Sequence, residues 1–201
     1  VAILTKGALL ERDLELIATM ARAGLARVTL SLPTLDVQLK RILEPRAASP
    51  QARLRLLREL HEAGVPTGVL VAPVLPAITD AELESVLEAA AKAGADRAGY
   101  VLLRLPFEVA ELFRDWLGQH FPERAARVMA LVREARGGRD NDSRFGLRMT
   151  GGGTWVAMLR QRFVLACRRS GLTTGREVAL DCTQFRAPAA RGDGGQLALE
   201  L

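Results

Sequence analysis

The side chains able to do chemistry in this sequence gather where apolar runs stop. Thr5 and Lys6 close the run from Val1, Ser31 and Thr34 close the run from Arg27, and Arg104 and Pro106 close the run from Arg97. Pro73 to Pro76 end a fourth run that begins at Gly68. In a parallel sheet such positions form the ligand-facing rim. A lysine, a serine and an arginine converging there would suit a carboxylate or phosphate on a small ligand, through charge-assisted hydrogen bonds. The plainer alternative makes Lys6 and Arg104 solvated rim charges and lets Ser31 merely end a strand. Glu44 and Arg46 straddle Pro45 in LEPRAASP, and the extended backbone around proline keeps the two charges from pairing as helix neighbours. Two readings stand for this loop. Either Glu44 accepts from hydroxyls or an amine of a ligand, or it pairs with an arginine such as Arg41 or Arg53 and braces the loop. His61 and His120 have no spacing that suggests metal ligation and are read as structural.

These positions need strands and helices to hold them. The runs Val1 to Thr5, Arg27 to Leu32, Gly68 to Leu75 and Arg97 to Leu105 are almost continuously apolar, the pattern of parallel strands covered on both faces. Helical spacing links them at Leu9 to Ala23, Pro50 to Ala63 and Ala81 to Ala93, with a short helix after Pro33. Thr79 and Glu82 have the spacing of a capping box at the start of the third linking helix. Each linking helix ends in Ala-Gly, at 23–24, 63–64 and 93–94, where glycine can take the left-handed conformation that closes a helix. Residues 1–106 therefore read as β(αβ)₃, an α/β fold of the partial (β/α) barrel kind. After Pro106 the sequence predicts no further strand. It predicts amphipathic helices over Phe107 to Leu117, Pro122 to Arg136 and Trp155 to Arg169, with a polar, glycine-rich loop at 137–154. Residues 107–186 thus form a mainly α-helical C-terminal region, and 187–201 a loosely held tail.

Composition narrows the function classes. No run approaches the ~20 apolar residues of a membrane span and no signal peptide opens the chain, which reads as cytoplasmic with no membrane partner. Cys167 and Cys182 lack CxxC spacing, so neither a disulfide framework nor a self-contained metal site is expected. The net charge of +5 comes from arginine and permits an anionic partner. Val1 is not a methionine and VAILT reads as a strand already under way, so the sequence reads as the later part of a longer protein.

Several words in this order resemble one family. TKG at Thr5 to Gly7 with Arg12-Asp13, then VTLSLPTLD, LEPRAASPQARL, AGVPTGVLVAPVLPAITD and AGYVLLRLP, and later SRFGLRMTGGG and GQLALEL, are similar to the radical S-adenosylmethionine proteins related to spore photoproduct lyase, of which this would be the C-terminal portion. The resemblance implies a partial barrel of the radical SAM type that holds S-adenosylmethionine and a [4Fe-4S] cluster at the strand carboxyl ends. It implies lyase-like chemistry through a 5′-deoxyadenosyl radical, with DNA lesions as a candidate substrate. It also implies cofactor-binding roles: Lys6 and Ser31 toward the methionine carboxylate or ribose, Val74 and Pro76 along the adenine edge, and Glu44 and Arg46 in family-like words nearby. The family binds its cluster through CxxxCxxC, and no such triplet occurs here, so the cluster ligands are expected outside this sequence and the chain alone is expected to be inactive.

Two other readings compete. The arginines at 133, 136, 139, 144, 148, 160, 162, 168 and 169 would suit a noncatalytic nucleic-acid-binding protein that contacts phosphates. The rim residues would equally suit an unrelated, cluster-free (β/α) barrel enzyme.

Overall fold

Five parallel strands form one sheet in the order of the sequence, β1 (Ala2–Thr5), β2 (Arg27–Ser31), β3 (Thr67–Val74), β4 (Arg97–Leu102) and β5 (Thr173–Thr174). The computed structural model describes residues 1–144, 147–175 and 180–186. The helices are α1 (Leu14–Arg22), α2 (Val37–Leu43), α3 (Pro50–Glu62), α4 (Leu83–Lys92), α5 (Val109–His120), α6 (Pro122–Ala135), α7 (Leu147–Thr150) and α8 (Thr154–Arg169). The α/β architecture is that of a partial (β/α) barrel with a helical region following β4.

The linking helices turn one apolar stripe to the sheet. Leu56, Leu57 and Leu60 of α3, and Leu83, Val86, Leu87 and Ala90 of α4, are all buried at helical spacing. They meet Val28, Leu30, Val69, Val71 and Ala98 from alternate strand positions. The opposite face is not covered to the same degree. Thr29, Leu70, Ala72, Gly99 and Val101 are half-exposed, and Leu4 on the β1 edge is 60% exposed. The expectation of strands covered on both faces is thus corrected among the described residues: helices pack on one side, and the other side is the open concave wall of the partial barrel.

The Ala-Gly endings form as the pattern predicts. Gly24, Gly64 and Gly94 have φ of 71°, 76° and 97°, and the next residue donates back to the carbonyl five earlier, Leu25 to Met20, Val65 to Leu60 and Ala95 to Ala90. This Schellman geometry lets each helix reverse into a strand. Gly171, with φ of 69° and a Leu172 to Cys167 bond, repeats it after α8 and leads into β5. So a strand does follow Pro106, contrary to expectation, and α8 is its crossover helix, with Phe163 against Tyr100 of β4 at 4.8 Å between ring centroids.

The predicted capping box does not form. Residues 80–82 make a tight 3-10 turn, α4 starts at Leu83, and Thr79 Oγ1 accepts from Leu75 N at 2.8 Å. Glu82 instead reaches the turn after β2, accepting from Thr34 Oγ1 at 2.8 Å and Leu35 N at 2.9 Å. Helices α5 and α6 pair over α2 in a second core built on Leu105, Phe113, Leu117, Val128 and Val132, and Trp116 Nε1 donates to Ile42 O at 3.2 Å. That core fixes the helical region beside the carboxyl ends of the strands.

Candidate functional site

A cleft of about 620 Å³ opens at the carboxyl ends of β1 to β4. Leu4, Thr5 and Lys6 contribute from β1, Ser31 from β2, Leu70, Ala72 and Pro73 from β3, and residues 101–104 from β4, with Met149 of α7 opposite. Its lining is mostly apolar, and Thr5, Lys6, Ser31 and Arg104 supply its polar side chains. The alternation of the strands explains the apolar lining, because Leu70, Ala72 and Val101 occupy the concave side at every second position. Between Val71 and Val74 the β3 register shifts, at the cis Ala72–Pro73 bond. That bulge brings Ala72 and Pro73 to the cleft and lets Ser31 Oγ donate to Ala72 O at 3.0 Å.

Of the residues proposed from the sequence, Lys6, Ser31 and Arg104 come together on this cleft, Ser31 as a buried group of its wall. Val74 and Pro76 do not: Val74 is fully buried opposite Leu102, Pro76 is buried beyond it, and Pro73 takes the place at the cleft wall. Arg46 is exposed and lies outside the lining. Glu44 is buried, with Lys6 Nζ on Oε1 and Arg53 Nη2 on Oε2 at 2.6 Å. The bracing arrangement is therefore the one adopted, with Arg53 rather than Arg41. The words at 145–146 and 195–201 that carry part of the family likeness lie outside the described residues.

Two buried arginines secure the strand ends; the sequence offered Arg53 only as a brace for Glu44 and gave no buried role to Arg136. Arg53 is 1% exposed and donates to Ser31 O at 2.7 Å and Ala48 O at 3.0 Å besides Glu44. Arg136 is 2% exposed and donates to Leu103 O at 2.8 Å and Arg148 O at 3.0 Å, tying β4 to α7. Burial, with repulsion from Arg104, lowers the Arg136 pKa, and Asp142 opposes that shift. The only signal for Arg136 was a charge at the apolar edge of an amphipathic helix. Arg104 itself pairs with no carboxylate among the described residues, its guanidinium lying 3.8 Å from Met149 Sδ. The mouth of the cleft thus presents Lys6 and Arg104, which fit a small ligand with an apolar body and a carboxylate.

Gly151 and Gly153 are architectural, with φ of 66° and 91°. A Cβ on Gly151 would lie 2.8 Å from Leu102 Cδ1 and one on Gly153 2.9 Å from Glu134 Oε1. Glu134 already accepts from Trp155 N at 3.0 Å at the start of α8, so this loop has its anion in place.

A [4Fe-4S] cluster does not fit the residues present. Cys167 is buried in α8 and burial pushes its thiol up to about 11, Cys182 is exposed in a separate segment, and neither lines the cleft. No group of three or more His, Cys, Asp or Glu among the described residues is placed to hold a metal ion. No helix among them is long and apolar enough to cross a membrane.

Residues 1–90 match the profile of the Radical SAM superfamily. Uncharacterized proteins of Mycobacterium tuberculosis and Mycobacterium bovis are 40% identical over 134 residues, covering 66% of this chain and 39% of theirs. An uncharacterized protein, ORF301, of the Acidianus two-tailed virus is 39% identical over 72 residues, 36% of this chain and 23% of its own. Two mutant forms of spore photoproduct lyase superpose with TM-scores of 0.57 and 0.58 at 17% identity, over 86% of this chain and 49% of theirs, a likeness of fold. The chain spans about two fifths of the length of its mycobacterial relatives, 39%. Residues 1–90, which carry β1 into α4 together with the Lys6 and Ser31 sides of the cleft, are thus similar to the Radical SAM superfamily, and the chain has a fold shared with spore photoproduct lyase.

Proposed function

We propose that the cleft at the strand carboxyl ends binds S-adenosylmethionine, and that the chain supplies the cofactor-facing rim of a radical S-adenosylmethionine enzyme. The observation that carries this reading is the convergence of Lys6, Ser31 and Arg104 on one apolar cleft, with Lys6 and Ser31 inside the segment that matches the Radical SAM profile. Lys6 and Arg104 would hold the carboxylate by charge-assisted hydrogen bonds. Ser31 would use its hydroxyl lone pairs toward a ribose hydroxyl while it donates to Ala72 O. Leu70, Ala72 and Val101 would lie against the apolar parts of the ligand and exclude water. Glu44 and Arg46 keep no direct role in this reading, the first because both its oxygens are engaged and the second because it is exposed and outside the cleft lining.

In the superfamily the iron-sulfur cluster supplies the electron that makes the radical; its ligands are not among this chain's two cysteines, and no step is assigned to them. Lyase chemistry on a DNA lesion rests on the fold shared with spore photoproduct lyase. The rival reading, a noncatalytic phosphate-binding surface, is weakened by the arginines themselves. Arg133 pairs with Asp140, Arg144 with Asp142 and Arg162 with Glu84, while Arg136 is buried.

Equilibrium dialysis of S-adenosylmethionine against the chain tests the reading. Saturable binding that Lys6→Gln weakens about tenfold or more is expected, the worth of one hydrogen bond to a charged group. Binding that is absent at millimolar ligand, or indifferent to both Lys6→Gln and Arg104→Gln, would overturn it.

A further inference from the structure

Arg53 and Glu44 lie behind Lys6, out of reach of a ligand in the cleft, yet they set what the ligand meets. Glu44 is 7% exposed at its side chain and Arg53 1%, whereas Lys6 is 47% exposed. The three charges therefore make a row that runs from the interior to the mouth, and its only accessible member is the Lys6 ammonium. A buried carboxylate facing Lys6 alone would make a neutral pair there. With Arg53 on its other oxygen, Glu44 is already offset, and the row of two cations and one anion leaves a net positive charge that emerges at Lys6.

The same guanidinium also reaches the β2 side of the cleft through Ser31 O, and it holds the loop through Ala48 O. The backbone closes the circuit, because Ala48 N donates to Lys6 O at 3.2 Å. One buried cation thus governs the placement of both Lys6 and Ser31.

Resting on the reading of the cleft as an S-adenosylmethionine site, we propose that Glu44 and Arg53 are positioning residues. Glu44 orients the Lys6 ammonium toward the ligand carboxylate, and Arg53 orients Glu44 while preserving the positive charge that Lys6 presents.

The test uses Glu44→Gln, which keeps the shape of the side chain, with Lys6→Gln and the double variant beside it. Two readouts separate the proposal from the reading it rests on. The first is trace acetylation followed by peptide mass spectrometry. It is simple to interpret because Lys6, Lys40 and Lys92 are the only lysines, and Lys92, exposed and paired with Glu88, serves as the internal reference. Loss of the ion pair in Glu44→Gln should raise Lys6 labelling about threefold or more relative to Lys92. The second readout is S-adenosylmethionine affinity. Glu44→Gln should weaken it about as much as Lys6→Gln, about tenfold, and the double variant should be no worse than either single one, because the two residues act as a unit.

Unchanged Lys6 labelling in Glu44→Gln refutes the proposal whatever binds. Raised labelling with wild-type affinity in Glu44→Gln, while Lys6→Gln is impaired, also refutes it and leaves Glu44 a structural brace. An increase of affinity in Glu44→Gln would show that only its charge matters, and equally overturns the positioning role. If the wild-type chain binds no S-adenosylmethionine but labelling still rises, the cleft reading fails while the hold of Glu44 on Lys6 stands.

Discussion

Replacing Arg53 by methionine keeps most of the aliphatic volume and deletes a guanidinium that is 1% exposed. Three partners lose it: Glu44 Oε2 at 2.6 Å, Ser31 O at 2.7 Å and Ala48 O at 3.0 Å. Removing one partner of a buried ion pair costs about 3–5 kcal/mol, and Glu44 keeps Lys6 on its other oxygen, which favours the lower end. Each carbonyl left without a donor adds about 1 kcal/mol, partly recovered by water and by shared relaxation. The expected loss is therefore about 4 kcal/mol, a large part of the ~5–15 kcal/mol that stabilises a typical domain. Urea unfolding followed by tryptophan fluorescence measures it, since Trp116 and Trp155 report from the second core and from α8. Adding Glu44→Leu should recover about 1–2 kcal/mol, because a buried pair replaced by apolar groups is often neutral. A loss below about 1.5 kcal/mol for Arg53→Met would refute the reasoning, since it would mean that the buried carboxylate and both carbonyls had found other partners.

Three further outcomes follow from particular contacts. Gly94→Ala should lower stability by about 2 kcal/mol or more in the same assay, because φ of 97° is strained for alanine and its Cβ would lie 2.4 Å from His61 Cγ; an unchanged urea midpoint would contradict this. In the native protein a thiol reagent at pH 8 should modify the exposed Cys182 quickly and leave Cys167 intact, because burial raises the Cys167 pKa to about 11. Equal rates at both would contradict it. The Arg144 side chain, by its hydrogen bond, lowers the Asp142 pKa from 3.8 to about 2, so this carboxylate contributes stability above pH 4 that fades as the pH falls through about 2. The stability difference between wild type and Asp142→Asn should accordingly be greatest near neutrality and vanish toward pH 2, and a difference independent of pH would count against the pair.

The strand and helix order through Leu102 was legible because each crossover ends in the same Ala-Gly signal and each helix keeps one apolar stripe. The fifth strand escaped notice although Ser170-Gly171 repeats the ending, because Thr173–Thr174 is too short to show a periodic pattern. At the cleft, Lys6 and Ser31 could be placed from the ends of regular strands. Val74 and Pro76 could not, because the irregularity between Val71 and Val74 breaks the two-residue alternation on which the inference depends. Met149 meets Arg104 from 45 residues further on, through a four-residue helix with no pattern of its own. For Glu44 the sequence offered both a ligand contact and a brace. Burial decides between them, and burial is a property of how α3 seats Arg53 under β2, not of the spacing in LEPR.

The most direct test of the account is an amide NMR titration of the chain with S-adenosylmethionine. The account predicts saturable shifts concentrated at Thr5, Lys6, Ser31, Ala72, Leu103 and Arg104, which line the cleft, and their loss in Lys6→Gln. Shifts confined to the exposed side of α8, or none at millimolar ligand, would contradict it.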